Sequence, residues 1–158
     1  MSQKVDPIPE GYHAITPHLV VKGCAAALEF YKKAFGAEET IRMPMPGSDL
    51  IMHAELQIGD SKVMLVDEMP NMQCLSPQHF NGTPVTIHLM CEDVDAMMKQ
   101  AEEAGATVTM PPADMFWGDR YGKLTDPYGH SWSVATHIAD PTMEEMQQAM
   151  EAMMGSEE

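Results

Sequence analysis

Hydrophobic and polar positions along this chain follow two rhythms, and the pair of rhythms occurs twice. From Tyr12 to Lys22, Ile15, Pro17, Leu19 and Val21 fall on one side of a two-residue period, with Thr16 and His18 on the other, which predicts a strand. The period then lengthens. Leu28, Tyr31 and Phe35, with Ala27 and Ala34, form one apolar stripe between Gly23 and Phe35, while Glu29, Lys32 and Lys33 face away. That spacing predicts a helix, and Gly36 ends it. Further strands are predicted at Glu38 to Met43, at Leu50 to Ile58 and at Lys62 to Val66. In the middle one, Met52, Ala54, Leu56 and Ile58 alternate with His53, Glu55 and Gln57, and Gly59-Asp60 supplies the hairpin turn.

The same order then returns. Residues 68–83 carry Pro70, Asn71, Pro77, Asn81 and Gly82 and read as a linker. A strand follows at Pro84 to Cys91. Asp93 is placed to cap a helix whose stripe is Val94, Met97, Met98, Ala101 and Ala104, ended by Gly105. A short strand at Thr107 to Met110, a loop from Pro111 to Gly118 and strands at Arg120 to Thr125 and Ser131 to His137 complete the pattern. The repeat is visible in the letters: Thr16-Pro17-His18-Leu19-Val20-Val21 recurs as Thr86-Ile87-His88-Leu89-Met90-Cys91. The expected fold class is α+β, with two strand-helix-three-strand modules at 12–67 and 84–138 inside one domain, residues 1–140. Pro141 then opens a helix to Met154, within a C-terminal helix and tail at 141–158. Met143, Met146, Met150 and Met153 recur at i, i+3, i+7 and i+10, a narrow stripe expected to pack on the domain or on a second subunit.

Composition narrows the function. The formal net charge of −15 opposes binding to nucleic acid. The last helix has an acidic polar face, which argues against a membrane surface. No run of 18 apolar residues is present, and the first residues lack the apolar core of a signal peptide. Three cysteines, Cys24, Cys74 and Cys91, have no metal-type spacing, so a reduced cytoplasm is the expected location. The 17 methionines are read mainly as core fillers.

Candidate chemistry comes from strand parity. His18 and His88 occupy equivalent places on the faces turned away from the helices. His53 and Glu55 share one face of their strand, as Ser133 and His137 do of theirs. These strands are expected to bring His18, His88 and His137, with Glu55 or His53, towards one cleft. Imidazole with carboxylate suits Zn, Ni, Mn or Fe. Glu55 is the candidate catalytic carboxylate. Trp117, Arg120 and Tyr121, with His53, are the candidate substrate contacts, since aromatic rings offer flat area and Arg grips anions through two parallel bonds. The bland readings are that the histidines line a metal-free pocket and that Arg120 pairs with a carboxylate.

Several segments resemble the vicinal oxygen chelate superfamily, which groups glyoxalase, bleomycin resistance and extradiol dioxygenase proteins, and in particular its PhnB-like branch. They are Ile15-Thr16-Pro17 with Val20-Val21-Lys22-Gly23, and Phe30-Tyr31-Lys32-Lys33-Ala34-Phe35-Gly36-Ala37. His53-Ala54-Glu55-Leu56, Ile58-Gly59-Asp60-Ser61 and Trp117-Gly118-Asp119-Arg120-Tyr121-Gly122 follow. Asp126-Pro127-Tyr128-Gly129-His130 with Trp132 completes the set. The resemblance covers about residues 12 to 140 and implies paired βαβββ modules around an open barrel-like cleft. It also implies a small-molecule ligand, a homodimer and, in metal-using relatives, a divalent ion that serves isomerase, lyase or dioxygenase chemistry on adjacent oxygens. Aligned on these motifs, the relatives' ligand positions fall at Thr16, Thr86 and Ser133, two residues before each histidine in the first two cases. A metal-free, resistance-type binding protein is the alternative implied. A partner-binding role for the Met-rich helix is the third.

Overall fold

The computed structural model describes residues 5–155. The first residues of the expected N-terminal stretch and the last three of the expected tail lie outside the described residues. In chain order the elements are β1 (His18–Val21), α1 (Cys24–Phe35), β2 (Glu38–Pro44), β3 (Ile51–Ile58) and β4 (Ser61–Asp67). After the linker come β5 (Thr86–Met90), α2 (Val94–Ala104), β6 (Thr107–Asp114), β7 (Asp119–Thr125), β8 (Ser131–His137) and α3 (Met143–Met154).

Each half builds one four-stranded sheet, in the orders β1-β4-β3-β2 and β5-β8-β7-β6. β1 runs parallel to β4, and β5 parallel to β8; the other pairs are antiparallel. The parallel pairs follow from connectivity, because a strand that enters a helix and later returns beside itself needs a crossover. The two sheets are not hydrogen-bonded to each other and do not close into a barrel.

The halves are joined through their helices, α1 lying against α2. Tyr31 and Phe35 of α1 place their rings 5.7 and 4.7 Å from that of Trp132 in β8, all three buried. Burying each such ring contributes about 2–3 kcal/mol, so this cluster is the main apolar joint between halves. Two carboxylates organise the polar side of it. Asp126 accepts from Tyr31 Oη at 2.5 Å, from Trp132 Nε1 at 2.9 Å, and from the Tyr128 and His130 amides. Asp67, at the end of β4, accepts from the Gly23 and Cys24 amides that open α1 and from Ile51 N of β3. At α2, Asp93 caps as expected, accepting from Ala96 N at 3.0 Å.

Two elements differ from the sequence expectation. The first strand is only His18–Val21, and Tyr12 leaves the sheet line for a side-chain partner described below. The expected loop at Pro111 begins instead as strand, since β6 runs to Asp114. β6 is an edge strand, so Pro111 and Pro112 forfeit no inner ladder bond, and the pairing register shifts between Met110 and Ala113 around them.

Candidate functional site

Strand pairing sets matching rows across the two sheets. On the first sheet the row is His18, Met64, Glu55 and Ile41; on the second it is His88, Ser133, Lys123 and Met110. The repeat read in the sequence is therefore a repeat of position: His18 and His88 stand in the same slot. Glu55 and Lys123, of opposite charge, also share a slot.

On the first sheet Glu55 is the centre. It is 5% exposed, yet three groups serve it. His53 Nε2 lies 3.0 Å from Oε1, Lys62 Nζ lies 3.7 Å from Oε2, and the Tyr12 hydroxyl donates a hydrogen bond. Burial alone would raise the Glu55 pKa; the hydrogen bonds from Tyr12 and His53 and the Lys62 charge outweigh it and hold the carboxyl below its usual range. Tyr12 responds in the opposite sense. Its hydroxyl is pushed up to about 12, first by the hydrogen bond to Glu55, then by desolvation and by the Glu55 charge. Lys62 Nζ also sits 5.1 Å above the Tyr12 ring. The His18 and His53 rings lie edge to face with centroids 6.4 Å apart.

On the second sheet the side chains form a continuous ladder. Ser133 Oγ lies 2.7 Å from His88 Nδ1, and the His88 ring stacks on Tyr121 at 6.0 Å. Tyr121 meets Trp117 edge to face at 5.5 Å. Trp117 Nε1 donates to Asp119 Oδ2 at 3.0 Å, and Asp119 Oδ1 lies 2.8 Å from His137 Nδ1. Asp140 closes the other side of His137, 3.0 Å from Nε2. The two carboxylates raise the His137 pKa, chiefly through the Asp119 hydrogen bond and next through the one to Asp140.

The expected metal set is not brought together. His18 is on one sheet, His88 on the other, and His137 is held between Asp119 and Asp140. Among the described residues no three of His, Cys, Asp and Glu converge as a metal would need. The donor set within one chain thus does not fit the implied ion. Of the expected substrate contacts, Trp117 and Tyr121 do meet, and His53 joins Glu55 instead. Arg120 is turned to the helix side: Nε and Nη2 bind the Asp95 carboxylate of α2 at 2.5 and 2.8 Å, and Nη1 binds Asp114 at 2.9 Å. With a bidentate partner and a third bond, its donors are largely committed.

His18 and His88 also line different cavities. His18 borders an open groove of about 560 Å³ lined also by Leu75, Phe80 and Thr83 of the linker and by His130, whose Nε2 lies 2.9 Å from Val20 O. His88 borders a cleft of about 330 Å³ between the β3–β4 hairpin and β5. Its walls are Ile15, Pro17, Ile58 and Val63 from the first half and Ile87, Leu89, Met90 and Trp132 from the second, with Asp60, Ser61, Lys62 and His88 as polar groups. Both halves line this cleft, and both clusters reach its rim: Lys62 also touches Glu55, and His88 also touches Tyr121. Sequence reasoning missed Lys62 and Tyr12. Lys62 was legible in principle, because Gln57 pairs with it on the face that carries Glu55. Tyr12 was not, since no period links it to a residue 43 positions away.

The family model described as Glyoxalase/Bleomycin resistance protein/Dioxygenase superfamily matches residues 12–134. An uncharacterised protein of Mycobacterium bovis is 48% identical over 140 residues, covering 87% of this chain and 91% of its own. An uncharacterised Arabidopsis thaliana protein is 32% identical over 128 residues, covering 75% of this chain and 76% of its own. Among solved structures, TioX from Micromonospora superposes with a TM-score of 0.63 at 26% identity, covering 80% of this chain and 99% of TioX. A PhnB protein from Bacillus cereus superposes at 0.60 and 18% identity, covering 78% of this chain and 99% of its own, a likeness of fold.

Proposed function

This chain belongs to the glyoxalase/bleomycin resistance protein/dioxygenase superfamily, and from that premise we propose that it binds a small organic molecule in the cleft between the β3–β4 hairpin and β5. The carrying observation is the cleft itself. At about 330 Å³ it lies in the size range of small-molecule sites, and its largely apolar wall carries Lys62 and His88, with Asp60 and Ser61, as polar groups. The apolar wall and the Lys62 ammonium suit a ligand with an apolar body and one anionic group, held on the Lys62 side away from Asp60. Lys62 takes the orienting role expected of Arg120. No step is assigned to a metal, because the donor set does not fit one. Three free thiols fit a reducing cytoplasm. A homodimer is part of this reading, supported by the family and by the outer edges of β1 and β5, which pair with no strand among the described residues.

The test is a titration with 1-anilinonaphthalene-8-sulfonate, an apolar body with one sulfonate, read by its own emission and by that of Trp132. The expected result is saturable binding, weakened at least about tenfold by Lys62→Met or by Ile87→Glu and unchanged by His18→Ala, since loss of one buried charge or apolar contact is worth about 1.4 kcal/mol or more. Equal binding by wild type, Lys62→Met and Ile87→Glu would overturn the reading.

One observation favours an enzyme over a binder. Glu55 holds His53 by Nε2, which leaves Nδ1 to take a proton from a carbon acid. In that version His53 is the base and Glu55 the positioning group. Deuterium exchange into a small ketone, followed by NMR, would be lost in His53→Ala and reduced in Glu55→Gln. Exchange equal to buffer alone in the wild type sinks this version and leaves the binding reading standing.

A further inference from the structure

Just after β4 the chain reads Met69-Pro70-Asn71-Met72-Gln73-Cys74, which places three sulfur side chains close together in sequence. A fourth sulfur reaches them from another segment. Met45, in the loop between β2 and β3, lines the same cavity as Met69 and Met72, a space of about 240 Å³ whose other walls are Leu50, Glu68, Pro70 and Asn71. This cavity shares no residue with the small-molecule cleft. It lies where β3 begins and β4 ends, whereas the cleft lies at the Gly59-Asp60 turn that joins them.

Each sulfur arm starts from a backbone point that hydrogen bonds hold. Met69 and Cys74 exchange both main-chain bonds, Met69 N donating to Cys74 O at 2.8 Å and Cys74 N to Met69 O at 3.2 Å. Residues paired in this way stand directly opposite, with side chains on one face and Cβ atoms about 5 Å apart. Between them Pro70–Met72 forms one 3-10 turn, in which Met72 N donates to Met69 O at 2.9 Å, and Gln73 closes the turn at φ of +56°. Met45 N donates to Leu50 O at 2.8 Å, and Met45 O accepts from Ser48 N at 3.2 Å. These methionines are not core fillers: Met45 and Met69 are half-buried and Met72 is 65% exposed, which opens the cavity to an ion from solvent. Among the described residues no imidazole lines the cavity, and the Glu68 carboxylate there gives Oε1 to Ser76 N and Oγ at 3.0 and 3.2 Å. Thioethers and thiolate are soft donors that select Cu(I), whereas Ca and Mg take oxygen. We infer that this cavity is a Cu(I) site, held by the thioethers of Met45, Met69 and Met72 and by the Cys74 thiolate. The thiol releases its proton to solvent as the ion binds, and Glu68 adds negative charge at the rim. The site is independent of the cleft and its ligand.

Cu(I) affinity of the full chain, measured by competition with bicinchoninate under ascorbate and nitrogen, tests it. Leucine removes the sulfur while nearly keeping the side-chain volume, so Met45→Leu/Met72→Leu leaves the fold in place. The expected result is an affinity at least about tenfold weaker in that double variant and in Cys74→Ser, and unchanged in Cys91→Ser, whose thiol lies in the second half of the chain. Methyl-labelled methionine read by NMR locates the ion, with Ag(I) as a redox-stable stand-in. The Met45, Met69 and Met72 methyl signals are expected to move, and those of Met143, Met146 and Met150 in α3 to stay. Wild-type affinity in Met45→Leu/Met72→Leu or in Cys74→Ser would overturn the inference. So would methyl shifts confined to α3, or an affinity that only Cys91→Ser lowers.

Discussion

Asp126 shows what a single buried carboxylate does here. It is 4% exposed and accepts from two side chains and two amides that belong to α1, β8 and the turn before β8. Replacing it by Ala strands those donors in the joint between the two halves. Each buried donor left unpaired costs on the order of 1–3 kcal/mol, and relaxation recovers part of it, so Asp126→Ala is expected to destabilise by about 4 kcal/mol. Urea unfolding checks this; a loss below about 1 kcal/mol would mean that the donors find other partners. The sequence marked Asp126 only as a turn residue, because its bond to Tyr31 joins positions 95 apart and no local period carries that information. Tyr12 gives a second residue-scale prediction. Its folded pKa is raised to about 12, so its hydrogen bond to Glu55 stabilises the fold fully below the usual tyrosine pKa and is lost as pH rises through about 12. In Glu55→Gln the absorbance titration of Tyr12 is expected to return towards 10. A Tyr12 titration unmoved by that change would show that Glu55 is not its partner.

At the scale of elements, alternation placed most strands, and the failures have identifiable causes. β6 outran its expected end because an edge strand tolerates Pro111 and Pro112, which any reading of proline as a breaker ends too early. The path from β8 into α3 was not legible either, since it depends on Gly118. Gly118 has φ of +100°, and its carbonyl accepts from the Ile138 and Ala139 amides. A Cβ there would stand 2.1 Å from the Ala139 carbonyl oxygen. The segment after β8 is thus clipped over the β6–β7 turn, beside His137 and its two carboxylates. Gly118→Ala combines a disfavoured φ with a backbone clash, and we expect it to cost about 2–3 kcal/mol. Faster amide exchange at Ile138 and Ala139 would accompany that loss. Unchanged exchange with unchanged stability would show that the clip can shift without cost.

For the molecule as a whole, the repeat in the letters correctly implied two like sheets and equivalent histidines. It did not reveal how the sheets face one another, because packing of α1 on α2 is decided by side-chain shape across the joint rather than by period. That packing separates His18 from His88 and gives the cleft to His88. The charge of the whole chain then bears on its assembly. Two copies at −15 each repel at long range, which opposes the proposed homodimer. Raising salt shortens the screening length from about 30 Å at 0.01 M to about 8 Å at 0.15 M, which screens most of that repulsion and leaves apolar contacts unaffected. Self-association is therefore expected to tighten several-fold over that range. An interface held by charge pairs would respond with the opposite sign. Dissociation constants of the proposed homodimer measured at the two salt concentrations decide between them, and weaker association at 0.15 M would rule out an apolar interface as the contact that governs assembly.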